Sequence, residues 1–249
     1  SIKQKLNSNI KMDTGKFCNA KCNFCYYLDS VSKDDRLTLE KVKEIDFDDI
    51  LKNVTNIEFS GGEPTLVKDI PEIMKYLSHK RYYLTKQDNL KFSFVTNGWN
   101  VKSFLMDLKN NKTFFGINTL SSFLFSLHGN KEVHESITKL KGSYDRIRIA
   151  INYIKRNFPK ILVRVNIVLS GQQINQEFLN IIKDFINNGI QVNLLPLNYW
   201  EDQSRSVSNQ EKIYNDINII MSYIYSNDLL NQNNNYKEAH QANLINIRY

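Results

Sequence analysis

The chain has 249 residues, of which 41% are hydrophobic and 24% are charged, with a formal net charge of +7. This apolar content suits one large domain, because α/β barrels of about this length commonly fold undivided. No apolar run approaches the roughly 18 residues of a membrane-spanning helix, and no block of about five like charges marks a nucleic-acid arm. The N-terminus also lacks the apolar segment of a secretory signal. We therefore expect a cytoplasmic protein with no membrane partner and no clear nucleic-acid binding.

Strand-like and helix-like segments alternate along the chain. Runs of β-branched and aromatic residues, typical of strands, lie near residues 10–17, 55–60, 90–96, 122–128, 161–169 and 190–197. Stretches with helical periodicity lie near 38–52, 69–80, 101–111, 131–157, 174–188 and 209–227, the fourth of them broken at Gly142. This alternation predicts an α/β fold with a parallel sheet, and six such units are too few for a closed eight-stranded barrel.

Local signals support these boundaries. Thr38 precedes an amphipathic run, Pro71 falls in the first turn of the second helix, and Gly189 follows the fifth. We divide the chain into three parts: an N-terminal extension (1–9), a core (10–200), and a C-terminal helix with an Asn-rich segment (201–249). Residues 226–243 are predicted to be loop. The last six residues look like the opening of another strand, at which a truncated C-terminal region could continue.

The three cysteines of the chain, Cys18, Cys22 and Cys25, lie within eight residues after the first predicted strand. Four thiolates close a structural zinc or iron–sulfur site, whereas three leave one metal position open for a substrate or cofactor. An odd number of cysteines without a secretory signal argues against disulfides. Zinc would need a fourth ligand from one of the four histidines, and this alternative stays open.

The spacing of the cysteines, with Phe24 and Tyr26 on either side of Cys25, resembles the signature of the radical S-adenosylmethionine (radical SAM) superfamily. The resemblance implies that the three cysteines hold a [4Fe–4S] cluster whose fourth iron is chelated by the amino and carboxylate groups of S-adenosylmethionine. It also implies an open partial (β/α)6 barrel with parallel strands, which agrees with the six predicted units. Phe24 joins the expected cofactor-binding residues.

Two further motifs follow predicted strands. Residues 60–64 have the sequence SGGEP, in which two glycines free the backbone to approach a ligand. This run resembles the GGE motif of the superfamily, which implies that Gly61, Gly62 and Glu63 contact S-adenosylmethionine. The third strand ends in a Thr-Asn-Gly sequence that is frequent at this point in related enzymes, so we assign its Asn97 to the cofactor site as well.

Polar side chains share one face of the later predicted strands. Ser126 and His128 lie on one face of the fourth strand, and Arg164 and Asn166 on one face of the fifth. Such groups are costly in a barrel interior unless they are paired. On the resemblance, Ser126 and Asn166 meet the ribose, Arg164 the methionyl carboxylate, and Leu195 the adenine. Structural alternatives stay open, with His128 as a hydrogen-bonded core histidine and Arg164 as a strand-start residue that reaches solvent.

The resemblance implies an oxygen-sensitive enzyme that reductively cleaves S-adenosylmethionine at the cluster to a 5′-deoxyadenosyl radical, which abstracts hydrogen from a substrate. The electron would come from an external one-electron reductant such as flavodoxin or ferredoxin. We expect a peptide substrate, because residues 126–138 look like the molybdopterin-biosynthesis and SPASM-type branches, and a nucleotide or sugar is the alternative. No cysteine follows Cys25, so either the enzyme has no auxiliary cluster or the region that bears it is missing from this chain.

Two non-enzymatic classes also stay open. One is a zinc-binding module in which the three cysteines and a histidine hold the metal. The other is an iron–sulfur electron-transfer protein, which needs no cofactor pocket. About four irons per chain would exclude zinc, and binding of S-adenosylmethionine would exclude simple electron transfer.

Overall fold

The computed structural model describes residues 8–27, 35–110, 117–197, 210–227, 229 and 245–247. In this part of the chain, seven strands form one sheet, and each strand pairs in parallel with the next in sequence. They are β1 (Ser8–Asp13), β2 (Val54–Ser60), β3 (Lys91–Thr96), β4 (Leu120–Ser126), β5 (Leu162–Leu169), β6 (Gln191–Pro196) and β7 (Ile245–Ile247). Since β1 and β7 are the two edges of this sheet, the barrel is open. The predicted open, parallel α/β architecture is confirmed.

Helices connect successive strands. They are α1 (Leu39–Lys43), α2 (Asp48–Asn53), α3 (Ile70–Thr85), α4 (Val101–Asn110), α5 (Lys131–Thr138), α6 (Ser143–Asn157), α7 (Gln176–Asn187) and α8 (Gln210–Ser226). The predicted break at Gly142 is confirmed, because this residue, with φ +82°, is the N-cap of α6, and Lys139, with φ +53°, is the C-cap of α5. Pro71 lies in the first turn of α3, and Gly189, with φ +67°, follows α7.

The single helix predicted over 38–52 is wrong, since this stretch forms two short helices. Thr38 does cap α1, its side chain accepting from the N–H of Lys41 at 3.3 Å. The chain then leaves the helix, and the Asp46 side chain accepts from the N–H of Asp48 at 3.0 Å. Such local bonds from aspartate compete with helical backbone bonds, which explains the break before α2.

The C-terminal part of the chain contributes to the same sheet. β7 pairs with β6 in parallel, with Asn246 in register with Asn193, which confirms the strand predicted at the end of the sequence. The predicted loop at 226–243 lies mostly outside the described residues. α8 packs against α7 and β6, and its Ile220 and Ile224 are fully buried.

The two faces of the sheet differ in chemistry because side chains alternate along each strand. Fully buried phenylalanines form a row across the helix-facing side, with ring centroids 5.1–6.2 Å apart: Phe59, Phe92, Phe94, Phe123 and Phe125. Burial of each ring stabilises the fold by about 2–3 kcal/mol. The opposite face lines the barrel interior, and there β4, β5 and β6 carry the polar residues that build the site.

None of the helices in the described ranges combines the length and the apolar character needed to cross a lipid bilayer.

Candidate functional site

The cysteine loop (residues 14–27) follows β1 and is held by backbone hydrogen bonds on two sides. The N–H groups of Gly62 and Glu63, in the turn after β2, donate to carbonyl oxygens of the loop at 2.7 and 2.8 Å. On the other side, the N–H groups of Lys21 and Asn23 donate to carbonyl oxygens in the last turn of α5 at 2.9 and 3.1 Å. The loop is therefore fixed both by the glycine turn and by a helix more than 100 residues later in the chain.

The glycine turn needs glycine at both positions. Gly61 has φ +118°, a conformation that residues with a β-carbon rarely adopt. A β-carbon on Gly62 would lie 2.0 Å from the carbonyl oxygen of Phe17, well inside van der Waals contact. The sequence predicted a close approach of this backbone to a ligand, whereas the close approach that the structure contains is between Gly62 and the cysteine loop.

The three thiols share a largely buried environment. Burial raises the pKa of Cys18 to about 11 and, with the neighbouring thiols, the pKa of Cys22 to about 12. The N–H of Ala20 donates to the Cys18 sulfur at 3.4 Å and opposes this rise. In the described part of the chain, no group of His, Cys, Asp or Glu side chains is placed to hold a metal ion as it stands. Because their pKa values are raised, Cys18 and Cys22 need a bound positive centre to become thiolates near neutral pH.

A cavity of about 230 Å³ opens beside the thiols at the carboxyl ends of the strands. The structure brings most of the predicted site residues to its wall: Cys18, Cys22, Phe24, Cys25, Gly61, Gly62, Asn97, Ser126, Asn166 and Leu195. Glu63 and Arg164 are not among the lining residues. Active sites of parallel α/β barrels lie at this end of the sheet, so the location agrees with the chemistry of the lining.

Glu63 lies behind the cavity wall rather than on it. Its side chain is fully buried and accepts from the hydroxyls of Thr65 and Thr96 at 2.6 and 2.7 Å. The N–H of Asn97 donates to its other oxygen at 2.6 Å, and the N–H of Thr65 also donates to this carboxylate. Burial raises the pKa of Glu63, and these four hydrogen bonds favour the carboxylate. In this position Glu63 joins the end of β2 to the end of β3.

The polar residues of β4, β5 and β6 form a row across the sheet. Ser126 is in register with Asn166, and Asn166 is in register with Asn193. The Asn193 side-chain NH₂ group donates to the side-chain oxygen of Asn166 at 2.8 Å. The Asn166 NH₂ group is therefore the part of this side chain left to donate to a ligand in the cavity.

Arg164 lies one layer deeper than predicted. It is two residues before Asn166 on β5, a separation of about 7 Å along a strand. Its guanidinium donates to the Ser122 hydroxyl at 3.0 Å and lies 3.7 Å from the Glu58 carboxylate, which also lies 3.7 Å from Lys11. Arg164 thus pairs with residues inside the barrel and does not line the cavity, where the sequence had placed it as a ligand of the methionyl carboxylate.

His128 has a structural role, which was the alternative left open by the sequence. Its Nδ1 accepts from the N–H of Val168 at 3.2 Å, and the Phe24 ring meets it edge-on with centroids 4.9 Å apart. The backbone N–H of His128 donates to Nδ1 of His134 at 3.1 Å. Burial lowers the pKa of His128 to about 3 and that of His134 to about 4, so both rings are neutral near pH 7. His128 also contributes to the cavity wall.

Sequence reasoning missed several lining residues: Lys16, Ala20, Tyr27, Val95, Thr96 and Val168. Val168 follows from the same strand alternation that selected Asn166, so the signal was present. Tyr27 lies two residues after Cys25, and its hydroxyl donates to the Asp13 carboxylate at 2.6 Å. This hydrogen bond raises the pKa of Tyr27 to about 12.

The donor set fits a [4Fe–4S] cluster. The three cysteines of the chain line one side of a single cavity, and three thiolates leave the fourth iron of such a cluster free for another ligand. The facing side offers the amide of Asn166, the hydroxyl of Ser126 and the apolar side chain of Leu195. These groups match a ligand with hydroxyl, charged and aromatic parts.

The chain is similar to known proteins in sequence. The model of the Radical SAM superfamily matches residues 12–185. A probable GTP 3′,8-cyclase of Methanocaldococcus jannaschii is 30% identical over 179 residues, which cover 71% of this chain and 54% of the cyclase. A cysteine-type anaerobic sulfatase-maturating enzyme of Clostridium novyi is 28% identical over 151 residues, which cover 56% of this chain and 38% of that enzyme.

The fold is also similar to that of SuiB from Streptococcus suis. With S-adenosylmethionine bound, SuiB superimposes with a TM-score of 0.63 at 16% identity, over 96% of this chain and 49% of SuiB. With the precursor peptide SuiA bound, the TM-score is 0.62 at 17% identity, over 88% of this chain and 46% of SuiB. The chain thus spans about half or less of the length of these relatives. Because the family model covers well over half of the sequence, the chain belongs to the radical SAM superfamily.

Proposed function

We propose that this chain is the core of a radical SAM enzyme, with a [4Fe–4S] cluster held by Cys18, Cys22 and Cys25 and S-adenosylmethionine in the adjoining cavity. The observation that best supports this is that the three thiols and the polar ends of β3, β4 and β5 line one cavity. When bound, the two groups together supply one-electron reductive cleavage of S-adenosylmethionine and abstraction of a substrate hydrogen.

The protein's own contribution is to bind, orient and exclude water. The backbone at Gly61 and Gly62 lines the cavity next to the thiols, so its polar groups can receive the methionyl part of the cofactor. Ser126 and the Asn166 NH₂ group can hydrogen-bond the ribose, and Leu195 can pack on the adenine. With its methionyl end at the cluster and its ribose and adenine at these groups, the cofactor would lie at a fixed distance from the substrate. Such positioning lowers the barrier of a reaction, because the reacting groups are already held in the right geometry.

A peptide is the substrate we propose. The sulfatase-maturating relative acts, by its name, on a protein, and SuiB binds a precursor peptide. Among the described residues the sheet does not close between β1 and β7, and an opening on this side would admit a long chain. The net charge of +7 would also favour an acidic peptide at low ionic strength. The electron would come from an external donor such as flavodoxin or ferredoxin.

A small metabolite is the second candidate. It rests on one observation, namely that the GTP cyclase relative has 30% identity over 71% of this chain. A nucleotide would have to fit in the same cavity beside S-adenosylmethionine, and a peptide would only need to place one side chain there.

The test of the cofactor assignment is metal and sulfide analysis after anaerobic reconstitution. We expect about four irons and four sulfides per chain, and loss of the cluster in Cys18→Ala, Cys22→Ala and Cys25→Ala. The exposed Asn23, between two of the ligands, supplies the matched control Asn23→Ala, which should keep its iron. Stoichiometric zinc without sulfide would support the metal-binding module instead.

The test of the substrate class is the rate of 5′-deoxyadenosine formation from S-adenosylmethionine. Peptides encoded near the gene are compared with a panel of nucleotides and sugars under the same reductant. Stimulation by a peptide supports the maturase proposal, and stimulation only by a small molecule overturns it. A full cluster with neither binding nor cleavage of S-adenosylmethionine would favour a non-catalytic iron–sulfur protein.

A further inference from the structure

Asn97 connects a buried carboxylate to the sulfur of one cysteine. Its N–H donates to the Glu63 carboxylate at 2.6 Å, and its side-chain oxygen accepts from the N–H of Trp99 at 3.0 Å. Its NH₂ group lies 2.7 Å from the Asn19 side-chain oxygen and 3.7 Å from the Cys18 sulfur. Because the carbonyl side of the amide is already occupied by Trp99, the donor side is the one that faces the sulfur.

Cys18 therefore receives hydrogen bonds from two directions. The N–H of Ala20 donates within the cysteine loop at 3.4 Å, and Asn97 donates from the end of β3. The Asn97 bond is the one that a side-chain substitution can remove, because the other donor, Ala20, uses its backbone N–H.

We propose that Asn97 is a positioning residue for the Cys18 ligand, whose amide-to-sulfur hydrogen bond raises the reduction potential of the cluster. This inference rests on the proposed function, since it requires a cluster at the three cysteines. A hydrogen bond to a ligand sulfur withdraws negative charge, and the reduced cluster carries one more electron than the oxidised one. The bond thus stabilises the reduced state more, and hydrogen bonds to sulfur are an established determinant of such potentials. Glu63 completes the arrangement by fixing the Asn97 backbone.

The experiment is a redox titration of the reconstituted full chain without S-adenosylmethionine, followed by electron paramagnetic resonance of the reduced cluster. Each molecule takes up one electron from the titrant, with dye mediators. The variants are Asn97→Leu, which has similar size but no donor, Asn97→Asp, which places a negative charge near the sulfur, and Asn97→Gln, which keeps an amide. Ser126→Ala is the matched control, because Ser126 lines the same cavity and makes no bond to a thiol in the described residues.

The inference predicts an ordered shift. The midpoint should become more negative in Asn97→Leu and still more negative in Asn97→Asp, while Asn97→Gln and Ser126→Ala stay near wild type. An Asn97→Leu protein with four irons and a wild-type midpoint would overturn it. If Asn97→Leu takes up too little iron, Asn97→Ala, which also lacks the donor, is the second variant and should shift the midpoint in the same direction. If neither of these two variants holds iron and Asn97→Gln does, Asn97 is needed for cluster assembly, and the proposed effect on the reduction potential is overturned. A wild-type protein that holds no cluster would instead refute the proposed function.

Discussion

Gly62 and Phe17 approach so closely that a β-carbon on Gly62 would lie 2.0 Å from the Phe17 carbonyl oxygen. The same carbonyl accepts from the N–H of Glu63 at 2.8 Å. This contact joins the turn after β2 to the loop that carries the cysteines. The geometry of the thiols therefore depends on a residue that carries no reactive group.

Gly62→Ala should lower both stability and cluster content. The new methyl group cannot be accommodated without moving backbone, and overpacking of this kind costs about 3 kcal/mol. Denaturant unfolding and iron analysis measure the two effects. Gly142→Ala is the control, because this residue has positive φ, which strains the substitution, but no atom lies within 4 Å of the added methyl group. It should cost about 1 kcal/mol and leave the iron content unchanged. Equal iron loss in both variants would contradict the account.

Asn166 and Arg164 should separate cofactor binding from stability. Asn166→Ala removes a hydrogen-bond donor from the cavity and should weaken S-adenosylmethionine binding about fivefold, the equivalent of one hydrogen bond. Arg164→Leu should instead reduce the free energy of unfolding, because it leaves the Glu58 carboxylate with less compensation inside the barrel. Its dissociation constant for the cofactor should stay close to wild type. Calorimetric titration with S-adenosylmethionine distinguishes the two variants. A large loss of affinity in Arg164→Leu would show that Arg164 contributes to the cofactor site.

Asn193 should act on the cofactor through Asn166. Its buried side chain donates to Asn166 at 2.8 Å, and its own oxygen has no hydrogen-bond partner among the described residues. Asn193→Leu should therefore weaken S-adenosylmethionine binding while changing the unfolding free energy little, because an unsatisfied buried oxygen is lost together with one bond. The double variant with Asn166→Ala should bind no worse than Asn166→Ala alone. Additive losses would show that Asn193 does not act through Asn166.

Acid should destabilise the protein through the histidine pair. The pKa of His128 is lowered in the folded state to about 3 and that of His134 to about 4, below the ordinary value of 6.5. Each unit of difference is worth about 1.4 kcal/mol, present in full above pH 6.5 and lost as the pH falls toward the folded values. His128→Asn keeps a side-chain acceptor for the Val168 N–H and should flatten the fall in stability between pH 6.5 and 3. An unchanged pH profile of the unfolding free energy would contradict this interpretation.

The sequence predicted the parts of the site that depend on local pattern. The cysteine spacing, the glycine pair and the two-residue alternation on β4 and β5 are each contained in a few consecutive residues. Strand order then followed from the regular βα alternation, since sequential parallel strands must be neighbours in such a fold. For that reason Ser126, Asn166 and Leu195 could be assigned to one cavity from their positions in the chain.

The sequence could not predict how far along the barrel a side chain lies from the cavity, or which segments distant in the chain contact each other. Alternation puts Arg164 and Asn166 on the same face, but it does not say that only Asn166 reaches the cavity. It gives no sign that α5 would hold the cysteine loop through the N–H groups of Lys21 and Asn23. The burial of Glu63 behind the wall was equally hidden, because a motif shows which residues are present and not which way their side chains turn.

The most direct test of the central claim is anaerobic 5′-deoxyadenosine formation by the reduced, reconstituted chain, with Cys22→Ala and Asn23→Ala measured in parallel. The account predicts slow formation of 5′-deoxyadenosine from S-adenosylmethionine by the wild type and by Asn23→Ala. It predicts none from Cys22→Ala, since the three thiolates act as one unit. A wild-type preparation with four irons per chain that neither binds nor cleaves S-adenosylmethionine would contradict it.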